Sequence, residues 1–231
     1  PEVQAKVCID EEATKEMIRM YFLDDKWNMQ EQEDFKQKLK SELIEMIIND
    51  RFRKIAKSSD SPYLYAHSSK GRLVNTKDAF TYTAVTRSDQ LMQGYRRLVK
   101  ENRRLMLHGF NQAELKKQKE ILKKNYKNEV LKGNKISSDQ LADDLQNHVL
   151  KDKAVVSVDK SYALVQKYLP NIDLEGLNNE FREWTKAHPV IIASSPNANL
   201  SAKIDGEELK QIYKKGLKSN PAPYKSDIVT K

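Results

Sequence analysis

The sequence has few of the residues that build covalent or metal-bound frameworks. Cys8 is its only cysteine, so the chain can form neither an internal disulfide nor a site with several cysteine ligands. Seven glycines and seven prolines are too few for a collagen-like or low-complexity chain. No apolar run approaches the roughly 18 residues that a membrane-spanning helix needs. The remaining class is a globular domain with a hydrophobic core, which ten tyrosines and six phenylalanines can help to fill.

Motifs for catalysis are also missing. Zinc peptidases with HExxH or HxxEH carry two histidines on one helix face beside a glutamate that acts as general base, and neither pattern occurs here. The nucleophile elbow G-x-S-x-G and the phosphate-binding loop G-x-x-x-x-G-K-[ST] are absent as well. The sequence therefore predicts no catalytic, cofactor-binding or metal-binding residue in this chain.

The isolated histidines and the cysteine have simpler interpretations. The histidines are spaced about 40 residues apart, and we interpret each as a surface or packing residue. They are His67, His108, His148 and His188. Cys8 lies in a segment that alternates apolar and polar residues, so we expect it to be a small buried apolar residue of a strand.

The charge balance is basic but mixed. Lys and Arg total 41 against 33 acidic residues, a net charge of +8, with the two signs interspersed. We expect a mixed solvated surface, although such a balance permits anionic partners. The alternative is a nucleic-acid- or protein-binding module that uses a lysine-rich helix at 113–127, with the aromatic strands at 63–65 and 80–82 free to stack on bases. Binding to phosphates would weaken steeply with salt.

Apolar periodicity predicts the secondary structure. Strands are expected where apolar and polar residues alternate or where aromatic and β-branched residues cluster, and helices where apolar residues recur at three and four positions. The predicted strands are 3–9, 17–23, 63–67, 79–85 and 190–193. The predicted helices are 30–56, 91–108, 111–132, 137–149, 159–169, 173–187 and 205–217. The strands at 63–67 and 79–85 should form a hairpin with a long polar connection.

Capping residues and strand order complete the predicted architecture. Asn111 with Glu114 has the form of a capping box, Gly109 is typical of a helix end, and Asp173 is typical of a helix start. Strands joined by a hairpin rather than by helical crossovers favour an α+β fold of two layers, with a largely antiparallel sheet and helices packed on one face. We expect one domain at 1–217 and a linker or tail at 218–231. The chain starts at Pro1 without a leader segment, so we expect it to be a piece of a longer chain.

Several local signatures, in this order and spacing, resemble the second domain of a half-unit in the pitrilysin/insulinase family of zinc metallopeptidases. They are NDRFRKIA at 49–56, SPY at 61–63, KDAF at 77–80, GF and EL within 109–115, S and LA within 138–142, LPNIDLEGLN at 169–178 and SP at 195–196. The likeness covers roughly residues 17–200. It implies an α+β domain with an antiparallel sheet and helices on one side, in a protein whose two pseudo-symmetric halves enclose a chamber for unfolded peptides.

The resemblance also implies which domain this is. Family members bind zinc through HxxEH and a distant Glu in the catalytic domain, none of which this chain has. A substrate-gripping Arg lies seven residues before a Tyr in the second domain of the C-terminal half, but Ser58 precedes Tyr65 at that spacing and Ala56 precedes Tyr63. The departure favours the non-catalytic domain of the N-terminal half, with no catalytic residue carried over.

A function, partners and a location follow from the resemblance. The full-length protein would be a zinc metalloendopeptidase in which this domain, inactive alone and without a cofactor of its own, buttresses the catalytic domain and lines the chamber. Its partners would be that catalytic domain of the same polypeptide and the peptide substrate, with no nucleic acid and no membrane span. The location is unknown from the sequence, and would be the periplasm or cell envelope for a bacterial member.

Overall fold

The computed structural model describes residues 2–25, 32–132, 157–196 and 204–225. Its strands are β1 Gln4–Ile9, β2 Met17–Asp25, β3 Tyr63–Val74, β4 Lys77–Thr86 and β5 Val190–Ser195. The α-helices of the described ranges are α1 Gln32–Ala56, α2 Leu91–His108, α3 Gln112–Leu131, α4 Val158–Tyr168, α5 Leu174–Trp184 and α6 Gly206–Leu217. The predicted helix at 137–149 lies outside these residues.

The five strands form one sheet in the order β1-β5-β2-β4-β3. The pairs β5–β2, β2–β4 and β4–β3 are antiparallel, whereas β1 and β5 are parallel. The α+β prediction, with a largely antiparallel sheet and helices on one face, is therefore confirmed. The parallel pair arises because β5, which comes late in the chain, inserts between β1 and β2.

The hairpin of β3 and β4 is tighter than the sequence predicted. Only residues 75 and 76 separate the two strands, so the prediction of a long polar connection was wrong. Lys70 lies opposite Phe80 and Arg72 lies opposite Asp78, and Arg72 Nε is 2.6 Å from the Asp78 carboxylate. Most side chains in this part of β3 are polar and face water or charged neighbours. The segment therefore lacks the apolar alternation from which a strand is predicted.

The core lies between the sheet and the helices. On β2, Ile18, Met20 and Phe22 are fully buried and alternate with partly exposed residues. The apolar stripe of α1 is buried against them as its spacing predicts: Phe35, Leu39, Leu43 and Ile47. Phe80 packs in edge-to-face contact with Tyr82 and Phe181, which connects β4 to α5.

The helix boundaries follow the predicted capping residues. Asn111 and Glu114 form both hydrogen bonds of a capping box at the start of α3, and the Asp173 carboxylate accepts from the Gly176 amide at the start of α5. Gly109 has φ of 66°, the left-handed region that glycine adopts without steric cost. It allows α2 to end and α3 to begin three residues later.

A buried ion pair joins α1 to this turn. Arg51 Nε and Nη2 each lie 2.6 Å from a Glu114 carboxylate oxygen, and Nη2 also donates to the Gly109 carbonyl at 3.2 Å. The Arg51 side chain is 4% exposed. The Tyr224 ring lies over its guanidinium at 4.4 Å, so this one side chain holds the α2–α3 turn and the segment after α6 together.

The outer edge of β3 is covered by α1. Asn49 accepts from the Ser68 amide at 2.6 Å and donates to the Ser68 carbonyl at 3.0 Å. One helical turn earlier, the Glu45 carboxylate accepts from the Lys70 amide at 3.1 Å. Because β3 is an edge strand, these bonds occupy backbone groups that no neighbouring strand pairs.

Candidate functional site

The candidate site is the face of the sheet opposite the helices, which we call the open face. Along β2 the helix-side residues are fully buried, whereas the intervening Met17, Arg19 and Tyr21 remain partly exposed. On β5, Ile191 is fully buried and Ile192 is not. The alternation along β2 and β5 shows that this part of the face keeps contact with solvent, whereas Thr83 and Val85 on β4 are buried.

Strand register arranges the open face in transverse rows. The central row runs Lys6, Ile192, Arg19, Thr83, His67 across β1, β5, β2, β4 and β3. One flanking row is Cys8, Ser194, Met17, Val85 and Tyr65, and the other is Gln4, Val190, Tyr21, Thr81 and Ser69. Neighbouring strands lie about 4.8 Å apart, which separates the backbones of Lys6 and Arg19, and likewise those of Arg19 and His67, by about 10 Å.

The charges of the open face have one sign. None of the residues in these three rows is Asp or Glu. On β2, the acid that follows in the same alternation, Asp25, is ion-paired with Lys77 at 2.6 Å. Within the described ranges, Arg19 has no hydrogen-bond or ion-pair partner. The face therefore presents an uncompensated guanidinium at its centre.

His67 lies beside Tyr65 at the β3 end of the central row, with the two rings stacked at 6.2 Å. Burial, and then the nearby Arg19 guanidinium, lower the pKa of His67 from its ordinary value of 6.5. The imidazole is therefore neutral at pH 7, and Arg19 and Lys6 carry the positive charge of the row.

The other predicted single residues do not converge. His108 Nε2 lies 2.9 Å from the Pro221 carbonyl oxygen, His188 is exposed before β5, and His148 lies outside the described residues. Cys8 is partly exposed on the open face. The expectation that Cys8 is buried was wrong. β1 lies at the edge of the sheet, so Cys8 has a neighbouring strand on one side only.

The residues do not fit a zinc site. Across the described ranges, no group of three or more His, Cys, Asp or Glu side chains is placed to hold a metal ion. Tight catalytic zinc sites use three protein ligands, whereas His67 has Thr83 beside it in the row, Arg19 beyond Thr83, and Tyr65 in the flanking row.

The lysine-rich helix and the aromatic strands do not form one surface. The exposed lysines of α3 include Lys116, Lys123 and Lys127, on a helix whose opposite side enters the core. Of the strand aromatics, Phe80 and Tyr82 are fully buried on the helix side of the sheet. The arrangement needed for phosphate contact with simultaneous base stacking is absent from these elements.

Two open clefts occur at the ends of the described structure. One of about 420 Å³ lies where β2 begins and β4 ends, beside Glu16, whose pKa is raised by burial and by Asp89. The other, of about 650 Å³, lies between α2 and α6 and is lined by Arg96, Lys100 and Lys215 among others. In the first cleft the Thr86 hydroxyl donates to the Glu16 carboxylate at 3.4 Å, and the second cleft is lined by no histidine or carboxylate among the described residues. In the described ranges, no helix combines the length and apolar character needed to cross a bilayer.

The fold has clear relatives among solved structures, although no family sequence model and no curated protein sequence matches the chain. The first half of the periplasmic protease PqqL from Escherichia coli superposes with a TM-score of 0.88 at 16% identity, over 97% of this chain and 49% of that one. A predicted insulinase family protease from Yersinia pestis superposes with a TM-score of 0.76 at 14% identity, over 94% and 46%. The chain has the fold of an insulinase-family peptidase domain.

A third relative carries the description of an inactive domain. The peptidase M16 inactive domain from Pseudomonas fluorescens superposes with a TM-score of 0.57 at 12% identity, over 86% of this chain and 44% of that one. The chain thus spans about half the length of each of these three structures. An insulinase-type fold is what the sequence signatures at 49–56 and 169–178 implied, and that expectation is confirmed.

Proposed function

We propose that this chain is the non-catalytic domain of a zinc-dependent insulinase-family peptidase. Its role is to hold a catalytic domain of the same polypeptide in position and to form part of the wall of a peptide-binding chamber. The observation that carries the proposal is a structural match at a TM-score of 0.88. In it, 97% of this chain superposes on 49% of a structure that is itself the first half of a protease. The other half of that structure leaves room for a second domain.

The site chemistry supports a positional role. A hydrolase needs a group that activates water, and this chain has neither the HxxEH pattern nor a described cluster of metal ligands. The open face, in contrast, offers a broad and rigid surface that mixes apolar, aromatic and cationic groups. Such a surface suits contact with an extended polypeptide rather than chemistry on it.

The proposal includes a compartment for a bacterial source. The Escherichia coli relative is a periplasmic protease, and a single free cysteine is compatible with an oxidising compartment because it leaves no pair to cross-link. Fractionation of cells that express the full reading frame tests this point. Recovery of the protein with cytoplasmic markers would contradict it.

The function is tested on the longer polypeptide that contains this chain. We expect its reading frame to encode HxxEH outside residues 1–231, and its product to bind zinc and hydrolyse unfolded peptides. Deleting residues 2–225 should lower kcat/KM by about a hundredfold or more, because displacement of catalytic groups by about 1 Å has effects of that size.

Two controls separate loss of positioning from loss of the catalytic fold. The deletion variant should retain stoichiometric zinc, and the separate 231-residue chain added to it should restore part of the activity. Full activity without residues 2–225 would refute the supporting role. A reading frame without HxxEH would refute the proposal as a whole.

A further inference from the structure

The strongest unexplained feature of the molecule is Arg19 at the centre of the open face. Its side chain is partly exposed, and Ile192 on β5 and Thr83 on β4 lie opposite it in the sheet register. Within the described ranges no carboxylate or carbonyl oxygen meets its guanidinium. A carboxylate that arrives from outside would supply this guanidinium with charge-assisted hydrogen bonds.

We propose that the central row of the open face binds acidic segments of an extended polypeptide, with Arg19 receiving a carboxylate. This inference rests on the proposed function, because it specifies the class of peptide that the chamber wall recognises. The peptide crosses the strands along the row, so that its acidic side chains reach Arg19 and Lys6. These two cations lie two strands apart, about 10 Å, which an extended peptide covers in about three residues.

The surroundings of Arg19 fit a peptide better than a polyphosphate. The flanking rows place Met17 and Tyr21 on either side of it along β2, with Val190 and Ile192 on the adjacent strand. These groups offer apolar contact to the residues between the acids. Nucleic-acid binding is built on phosphate contacts, on the order of 6–10 for a strongly salt-dependent binder, whereas these three rows carry two cations, Arg19 and Lys6.

Charge complementarity distinguishes this face from the remaining basic surface. On the helix side, two cations of α3 already have oxygen partners: Lys117 pairs with Asp50 at 2.9 Å, and Lys119 donates to the Pro170 carbonyl at 3.2 Å. On the open face no acid lies in the three central rows. A peptide acid therefore has no competing carboxylate to displace in the described structure.

The test uses the 231-residue chain and three fluorescent peptides of about eight Gly, Ser and Tyr residues plus three variable positions, long enough for the full row. One carries Glu at the three positions, the second carries Gln and the third carries Lys. We expect the Glu peptide to bind, with fluorescence anisotropy showing at least about tenfold weaker binding for the Gln peptide. Arg19→Gln should weaken binding of the Glu peptide by about ten- to a hundredfold. Arg19→Lys should weaken it by less, because lysine keeps the positive charge but lacks the planar guanidinium that donates two parallel hydrogen bonds to a carboxylate.

Matched controls keep the result interpretable. Lys116→Gln removes one positive charge from the opposite layer and should leave the affinity unchanged. Addition of the Glu peptide should shift the Arg19 Nε–H resonance in the NMR spectrum of the wild-type chain, which locates the contact without any variant. Thermal unfolding of Arg19→Gln should match that of the wild type, because no described hydrogen bond or ion pair is lost with the guanidinium.

Several outcomes would overturn the inference. They are equal affinity for the Glu and Gln peptides, unchanged affinity in Arg19→Gln, and an unperturbed Arg19 resonance. Tighter binding of a single-stranded oligonucleotide than of the Glu peptide would assign the face to nucleic acid instead. A dimer in sedimentation that dissociates in Arg19→Gln would assign it to a second copy of the chain.

The peptide assay and the peptidase assay fail independently. Loss of zinc-dependent hydrolysis in the longer polypeptide would refute the proposed function and leave binding by the separate chain intact. Absence of peptide binding in a longer polypeptide that still needs residues 2–225 for hydrolysis would refute only the acidic-peptide inference.

Discussion

The buried pair of Arg51 and Glu114 gives the sharpest prediction about stability. The Glu114 carboxylate accepts from Arg51 on one side and from the Asn111 amide, at 3.0 Å, on the other. Glu114→Ala therefore removes the counter-charge of a 4% exposed guanidinium and half of the capping box of α3 in one step. The Arg51 side chain cannot move into water without also leaving the Tyr224 ring and the Gly109 carbonyl.

The magnitude follows from what the substitution leaves behind. Removing one partner of a buried ion pair costs about 3–5 kcal/mol, because the other charge stays buried without compensation. Loss of a helix cap adds about 1 kcal/mol. We expect Glu114→Ala to lower the free energy of unfolding by about 4–6 kcal/mol, a large part of the 5–15 kcal/mol typical of a domain. The double variant Arg51→Met with Glu114→Gln should lose only about 1–2 kcal/mol, because no unpaired charge remains.

Urea unfolding followed by far-UV circular dichroism measures these differences. Glu183→Ala is a matched control, because Glu183 forms an exposed i,i+3 pair with Lys186 at 3.4 Å and should change stability by less than about 0.5 kcal/mol. A loss below about 1 kcal/mol in Glu114→Ala would refute the argument from an uncompensated charge. So would a double variant as unstable as the single one.

Three further predictions concern pH, surface charge and metal content. Burial raises the pKa of Glu45 from 4.5 to about 7. The contribution of Glu45 to the free energy of unfolding is therefore fully present below pH 4.5 and should be lost as the pH rises through about 7. Glu45→Gln should flatten this dependence, which amounts to about 1–2 kcal/mol after allowance for partial exposure, in unfolding curves measured across that range. Reversing the charges of Lys116, Lys123 and Lys127 together should change stability by no more than about 0.5 kcal/mol each, and salt-sensitive oligonucleotide binding that this variant abolishes would contradict the assignment of a solvated face. Tag-free protein should contain substoichiometric zinc in a metal analysis and show no chelator-sensitive peptidase activity, and a full equivalent of zinc would contradict the absence of a metal site.

Much of the fold could be predicted because its signals are local. The stripe from Phe35 to Ile47 and the alternation along β2 are periodic in the sequence itself, and each matches an observed element. The capping box at Asn111 is equally local, since both partners lie within one turn. These features depend on the order of neighbouring residues and not on the rest of the molecule.

The features that prediction missed depend on long-range packing. The insertion of β5 between β1 and β2 cannot be inferred from the sequences of these strands. A sheet with β1 next to β2 and β5 at the edge would bury the same apolar residues. The central row of the open face combines Lys6, Arg19 and His67 with residues more than 100 positions away in the sequence, such as Ile192. Alternation can assign each side chain to a face, but only the register brings the rows together.

The cover over β3 bears on how a protein of this kind survives contact with unfolded chains. An unprotected edge strand is a template to which any extended peptide can add through backbone hydrogen bonds, whatever its sequence. With Asn49 and Glu45 occupying the middle of β3, such a peptide would have to displace side chains that already satisfy those groups. At this edge, contact is left to the open face, where side chains rather than backbone decide what is held. In the proposed peptide chamber, the cover would prevent both self-aggregation through β3 and capture of peptides regardless of their sequence.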